Sequence, residues 1–346
     1  VLDDYHLINN LQVHEFMDQL LAHPSPKLHL AILGRRDPPL SLASFRVGHR
    51  VNEIRMRDLQ FTDEQAFEFL KRVTGYPLQL QAIAQLCART EGWPAAMRLA
   101  ALALQNQTDV NGYLASFGAG ERPLQQYLVS EVLSAQADVL QQCLIYTSIL
   151  GRFEASLCEA VWNNDICDKD GAPPSGKAFI EKVEKSGLFG ISLDRQHTWL
   201  RFHHLFGELL QRRLEEVCSR QDIATLHQRA SNWFEQHGHF DEAIRHALAG
   251  DDEERAAAIV GQARHRYMNM DDWPQLERWL QLFSREAAEN SPQLMLLRCW
   301  LDLCHWYRLD RLAPDMEQAG QLLETSSLAA DTVKTLKIEL DVLRSS

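Results

Sequence analysis

The sequence predicts a mainly α chain with an α/β N-terminal part, and three observations carry that expectation. Val1-Leu2 runs directly into Asp3-Asp4, and a helix-spaced apolar segment separates it from a second apolar run, Leu28 to Leu33. From Thr62 onward apolar residues recur with helical rather than alternating spacing. Between Phe189 and Phe202 two short apolar stretches flank a polar turn, which is the pattern of a hairpin.

The α/β part is expected as a strand, a helix and a strand. Val13, Phe16, Met17, Leu20 and Leu21 fall on one helical face. Leu28 to Leu33 reads as a short buried strand, ended by Gly34 and the Asp37-Pro38-Pro39 turn. Two strands joined through a helix make a right-handed parallel crossover. A third short strand is expected at Val51 to Met56.

Beyond it the chain reads as helical. Thr62 and Gln65 have the spacing of a capping box, and two or three helices are expected from there to about Gln107. Arg122 to Glu215 mixes helices with the hairpin, in which Phe189 to Leu193 and Trp199 to Phe202 flank Asp194 to His197. Helices leading into such a hairpin suggest a winged helix. Asn163 to Lys177, rich in Asp, Gly and Pro, reads as a surface loop. From about Gln221 every segment is helical, with Leu226, Ala230, Trp233 and Phe234 on one stripe and a turn at His237-Gly238. That phrasing is typical of tetratricopeptide-like repeats, which build extended concave binding surfaces. The expected domains are 1–58, 59–118, 119–216 and 217–346.

Composition narrows the classes of function. The chain has 35 Lys and Arg against 47 Asp and Glu, a net charge of −12, with no long basic block. Such a surface repels nucleic-acid backbones, so this chain is not expected to hold DNA by itself. No apolar run is long enough for a membrane span; the longest, Trp93 to Leu104, is broken by Arg98. Seven cysteines without a CxxC suit reduced thiols and a cytoplasmic setting. Because residue 1 is Val and no signal peptide precedes it, the chain is expected to begin inside a longer protein.

Three constellations bear on chemistry. Asp3 and Asp4 end a strand, where ligands of parallel sheets bind; one carboxylate can hold Mg²⁺ while its neighbour orients a water. The alternative is a solvated turn. Arg35 ends the next strand, where a guanidinium can sense a terminal phosphate; the alternative is a surface ion pair with Asp37. His203-His204 follows the hairpin and opens a helix, poised for a phosphate or packed in an interface. Gly171 to Lys177 has the spacing of a phosphate-binding loop, but Ala178 stands where Ser or Thr is needed, and no apolar strand precedes it.

Taken together, Val1 to His6, Arg35 with Asp37 to Leu40, Asp58 to Thr62, Thr90 to Pro94, Arg201 to Phe206 and Trp233 to His246 resemble the MalT-like family. These are LuxR-type transcriptional regulators of the STAND class of signalling ATPases. The resemblance covers nearly the whole chain and fades after about Trp306. It implies a truncated P-loop NTPase domain at 1–58, then a helical domain, a winged helix and a TPR-like sensor. It implies ATP and ADP with Mg²⁺ as cofactors in the intact protein. Asp3 would lie nearer the metal, Asp4 nearer the attacking water, and Arg35 would be the sensor arginine. Gly92, Trp93 and Pro94 would match a GxP motif near the adenine. His203 would hold the ADP β-phosphate, with His204 as a competing register. It further implies a small-molecule or protein inducer on the repeats, self-association when ATP is bound, and DNA contact only through a further C-terminal domain. An upstream phosphate-binding loop is expected outside this chain, so the chain alone is not expected to hydrolyse ATP. Two alternatives remain: the same core with a kinase or cyclase output, or a non-catalytic helical scaffold.

Overall fold

A computed structural model describes residues 1–5, 8, 10–23, 27–34, 37–75, 77–104, 109–118, 121–162, 173–185, 188–305, 309–326 and 328–345. The chain divides into two compact units, residues 1–159 with 164–216, and residues 160–163 with 217–346.

The first unit opens on the α/β segment. Leu2 bridges Ile32 in parallel, with Leu2 N–H donating to the Ala31 carbonyl (2.8 Å) and Leu33 N–H to the Leu2 carbonyl (2.8 Å). Helix α1 (Leu11–Ala22) lies between them, capped by the Asn10 side chain, so the expected order is kept, with one isolated bridge in place of two paired strands. The expected buried strand at Leu28–Leu33 is reduced to that single bridge. Leu28 and Leu33 are 44% and 47% exposed, so little apolar burial supports a longer strand. The strand expected at Val51–Met56 is absent. Residues 51–55 are irregular, Ile54 is exposed, and Met56 begins the short helix α3 (Met56–Leu59) after α2 (Leu42–Val47). Arg55 and Glu53 are instead held in a surface ion network with Arg46 and Asp37. Only a few large apolar side chains of this segment are buried, among them Tyr5, Met17 and Phe45, whereas Leu11, Phe16 and Val47 are exposed.

Next come α4 (Asp63–Thr74), α5 (Leu80–Thr90), α6 (Pro94–Ala103) and α7 (Val110–Ser116). The capping box that starts α4 is complete: Thr62 Oγ1 accepts from Gln65 N–H, and Gln65 Oε1 accepts from Thr62 N–H (3.0 Å). A cap of this kind contributes about 1 kcal/mol. Helices α4 to α6 bury Ala66, Leu70, Ile83, Leu86, Met97 and Ala100 completely.

The winged helix follows. Helix α8 (Arg122–Leu128) runs into a π-helical turn, Val129–Leu133, and then come α9 (Asp138–Thr147), α10 (Ala155–Trp162) and α11 (Gly176–Lys185). Strands β1 (Gly190–Ser192) and β2 (Leu200–Phe202) pair antiparallel, with Ile191 opposite Arg201. Phe153 adds an isolated antiparallel bridge to Leu200. The Asp194 carboxylate closes the turn by accepting from the amides of Gln196, Thr198 and Trp199. Helix α12 (His204–Val217) completes the motif over a core of Phe153, Phe179, Leu200, Phe202 and Phe206. Most of the loop expected at Asn163–Lys177 lies outside the described residues. Gly176 and Lys177 are not loop: they begin α11.

The second unit is a stack of helices: α13 (Arg220–Gln236), α14 (Phe240–Ala249), α15 (Glu253–Met268), α16 (Trp273–Leu280), α17 (Arg285–Asn290), α18 (Pro292–His305), α19 (Leu309–Thr325) and α20 (Ala330–Ser345). Each packs on a neighbour close in sequence, α13 on α14, α14 on α15 and α18 on α19, as helix-pair architectures do. Trp279 is fully buried core, its indole N–H donating to Asp241 Oδ1 (3.2 Å). Cys299, Leu323, Leu336 and Leu340 anchor the last layer. No helix among the described residues is long and apolar enough to cross a membrane.

Candidate functional site

The turn between α5 and α6 is the centre of the site. Thr90 ends α5, Glu91 and Gly92 take left-handed backbone (φ 49° and 69°), and Pro94 opens α6 at a position where its missing N–H costs nothing. Glycine is required at 92. A Cβ there would collide with the carbonyl oxygen of Phe61, whose own N–H donates to the Gly92 carbonyl (2.8 Å).

This turn grips the start of α12. Glu91 takes Arg201 of β2 in a two-pronged pair, Oε1 to Nη1 at 2.7 Å and Oε2 to Nη2 at 3.0 Å. The same carboxylate accepts the N–H of His204 (3.0 Å). His203 Nε2 lies 3.0 Å from the Thr90 carbonyl. A carbonyl can only accept, so Nε2 carries the hydrogen and Nδ1 of the neutral ring carries a lone pair. His203 is 2% exposed, and its Nδ1 has no hydrogen-bond partner among the described residues. Its ring stands edge-on to Trp93 and Phe189, with both centroid separations 5.9 Å. Burial pushes the His203 imidazole below its ordinary range, while the Glu91 charge opposes that shift. Burial would push the Glu91 carboxyl up, but Arg201 and the His204 amide overcome it and hold it low.

The structure therefore brings Gly92, Trp93 and His203 together. It also separates the two histidines: His203 is buried, whereas His204 is exposed and pairs with Glu208 (2.9 Å). Asp3 and Asp4 are exposed at the end of the Leu2 bridge, with Asp4 in left-handed backbone and its N–H on Asp3 Oδ1 (2.9 Å). Arg35 lies outside the described residues. Asp37, its suggested partner, is engaged by Arg46 and Arg55. Nothing in the sequence pattern singles out Glu91 or Arg201. The only trace was that both fall inside motifs already noted for other residues.

The cluster fits a phosphate-bearing ligand conditionally. With one proton, Nδ1 accepts; with a second it donates to an anion. Asp3 and Asp4 supply hard oxygen donors of the kind Mg²⁺ takes in part from protein and in part from phosphates. No group of three or more potential metal-binding side chains occurs among the described residues.

A winged helix is thus followed along the chain by a helical stack, with a buried histidine at the wing's exit. Residues 129–224 match the MalT winged helix domain family. The chain is 30% identical over 346 residues to the HTH-type transcriptional regulator MalT of Serratia proteamaculans, aligning 99% of this chain with 37% of that protein. It is 28% identical over 347 residues to the serine/threonine-protein kinase PknK of Mycobacterium tuberculosis, covering 99% of this chain and 30% of the kinase. A Signal Transduction ATPase with Numerous Domains (STAND) protein with a tetratricopeptide repeat sensor, from Pyrococcus horikoshii, aligns with a TM-score of 0.43 and 15% identity. That alignment covers 99% of this chain and 48% of that one. The similarity to MalT runs along nearly the whole chain, which spans about a third of the length of the curated relatives named above.

Proposed function

We propose that this chain is the nucleotide-responsive and signal-receiving part of a MalT-like transcriptional regulator of the STAND type. In this reading a bound ADP holds the resting state through His203, and exchange for ATP releases it. One observation carries the reading: a histidine that is 98% buried, fixed in one tautomer by Thr90, with a nitrogen that has no partner among the described residues. A buried polar atom without a partner costs stability, and a ligand group that fills it repays that cost.

Asp3 would hold Mg²⁺ directly or through water, and Asp4 would orient the attacking water. When bound, the metal would neutralise phosphate charge. Arg35 would sense the terminal phosphate. Gly92, Trp93 and Pro94 would shape the adenine side, although Gly92 and Trp93 already have packing roles within the chain. The helical stack, with the character of TPR-like repeats, would take the inducer, and an effector there shifts the switch only by binding one state better. Self-association would follow ATP binding in the cytoplasm. DNA contact would fall to residues outside this acidic chain.

A second reading has a specific observation in its favour. The alignment with PknK runs through the same 99% of the chain, so the same core can serve a kinase output.

The test is made in the full-length protein. Asp4→Ala is expected to abolish ATP turnover while leaving ATP bound. Normal hydrolysis by that variant removes Asp4 from the chemistry, and failure of the unaltered protein to bind ATP or ADP removes the reading.

A further inference from the structure

Thr90 and Glu91 are adjacent in the α5–α6 turn, and between them they hold Arg201, His203 and His204. The two grips differ in kind. Thr90 offers a neutral carbonyl to one nitrogen of the His203 ring. Glu91 offers a carboxylate that is 16% exposed on its side chain, tied to Arg201 and capping the first amide of α12. We propose that Glu91 is a positioning residue for His203: it fixes the turn that grips the ring and supplies the charge that lets Nδ1 hold a proton toward a phosphate.

The geometry leaves His203 little choice. Nε2–H is committed to the Thr90 carbonyl, so a ring rotation or a tautomer exchange would forfeit that bond. An anionic phosphate accepts but does not donate, so Nδ1 meets it productively only after taking up a second proton. The groups that face the ring decide how readily that happens. Trp93 from the α5–α6 turn and Phe189 from the segment before β1 are uncharged. Arg201 from β2 and His204 from α12 oppose a further positive charge, whereas the Glu91 carboxylate favours it, with the Thr90 carbonyl adding to that. The Glu91 carboxylate therefore partly offsets burial and the neighbouring guanidinium at the same time.

The nucleotide consequence rests on the function proposed above, whereas the titration of the ring does not. One variant, Glu91→Gln, separates positioning by charge from mere support, and a second checks the opposing charge. Glu91→Gln keeps the shape and one acceptor but removes the charge. Arg201→Gln removes the opposing charge. If Glu91 only propped the turn, either change would loosen the pocket, expose the ring and move its titration upward, toward the solvent value.

The experiment is ¹⁵N-histidine NMR of the whole chain across pH, with far-UV circular dichroism to confirm folding. The expected result is that His203 titrates at lower pH in Glu91→Gln and at higher pH in Arg201→Gln. Should Glu91→Gln not fold, the double variant with Arg201→Gln keeps two amides that can bond each other. It is expected to titrate below Arg201→Gln alone. A His203 titration that rises or stays fixed on loss of the Glu91 charge overturns the inference. In the full-length protein, ADP loss from Glu91→Gln is expected to be about tenfold faster, the value of a hydrogen bond to a charged group. An unchanged ADP off-rate overturns the link to phosphate. A full-length protein that binds no ADP at all overturns the proposed function and leaves the titration result standing.

Discussion

Glu91 and Arg201 lie 110 residues apart in the chain and meet in a two-pronged ion pair, 2.7 and 3.0 Å, that fastens the α5–α6 turn to the wing hairpin. The pair is half-buried, so its hydrogen bonds are worth more than those of an exposed pair. Replacing Arg201 by Ala is expected to lower stability by about 1–3 kcal/mol, because the Glu91 carboxylate then loses its charged partner. Urea unfolding of the two single variants and the double variant measures the coupling, and additivity would contradict it. The pH dependence has a definite sign. The folded Glu91 carboxyl is held below its unfolded value, so its contribution is full above the unfolded value and fades as pH falls through the folded one.

Gly92 supplies a stability test with an internal control. Gly92→Ala places a methyl group against the Phe61 carbonyl in left-handed backbone, and is expected to cost more than about 2 kcal/mol. Gly75 has nearly the same φ, 68°, but open space around it. Gly75→Ala is expected to cost only about 1 kcal/mol. Equal midpoint shifts in the two variants would show that the Phe61 contact carries no weight.

In the second unit, Arg264 is 1% exposed and forms a two-pronged pair with Glu339, which also accepts the Trp300 indole N–H (2.8 Å). Removing one partner strands a buried charge. Arg264→Met is expected to cost about 3–5 kcal/mol, and adding Glu339→Met to recover much of that loss. A double variant as unstable as the sum of the singles would contradict this account.

His227 and His246 face each other through Nδ1 atoms 2.8 Å apart. Burial, with the His227 neighbour adding to it, pulls His246 down to about 3. The unfolded ring binds its proton at about 6.5, so the unfolded state holds more protons between these values. Stability is therefore full above the unfolded value and falls as pH drops toward the folded one, by at most about 1.4 kcal/mol per pH unit from this ring. Chemical denaturation at successive pH values, compared with His246→Gln, is expected to show a shallower slope in the variant.

Local signals in the sequence carried through where they were self-contained. The Thr62–Gln65 capping box, the hairpin around Asp194 and the helix starting at His204 all depend on residues within a few positions of one another. Long-range partnerships left no such trace. Nothing in the spacing of Thr90 to Pro94 points to Arg201, because an ion pair has no period. Likewise no spacing around Arg264 points to Glu339, 75 residues further on. The Leu28–Leu33 run shows the opposite failure: its apolar composition reads as buried, but a strand needs neighbours to become one, and here only Ile32 is paired.

The most direct test of the central claim is ADP dissociation from the full-length protein, followed by chase of a fluorescent ADP analogue. His203→Ala is expected to release ADP at least about tenfold faster, and His204→Ala to leave the rate close to that of the unaltered protein. An unchanged rate in His203→Ala would contradict the assignment of the buried ring as the nucleotide's anchor.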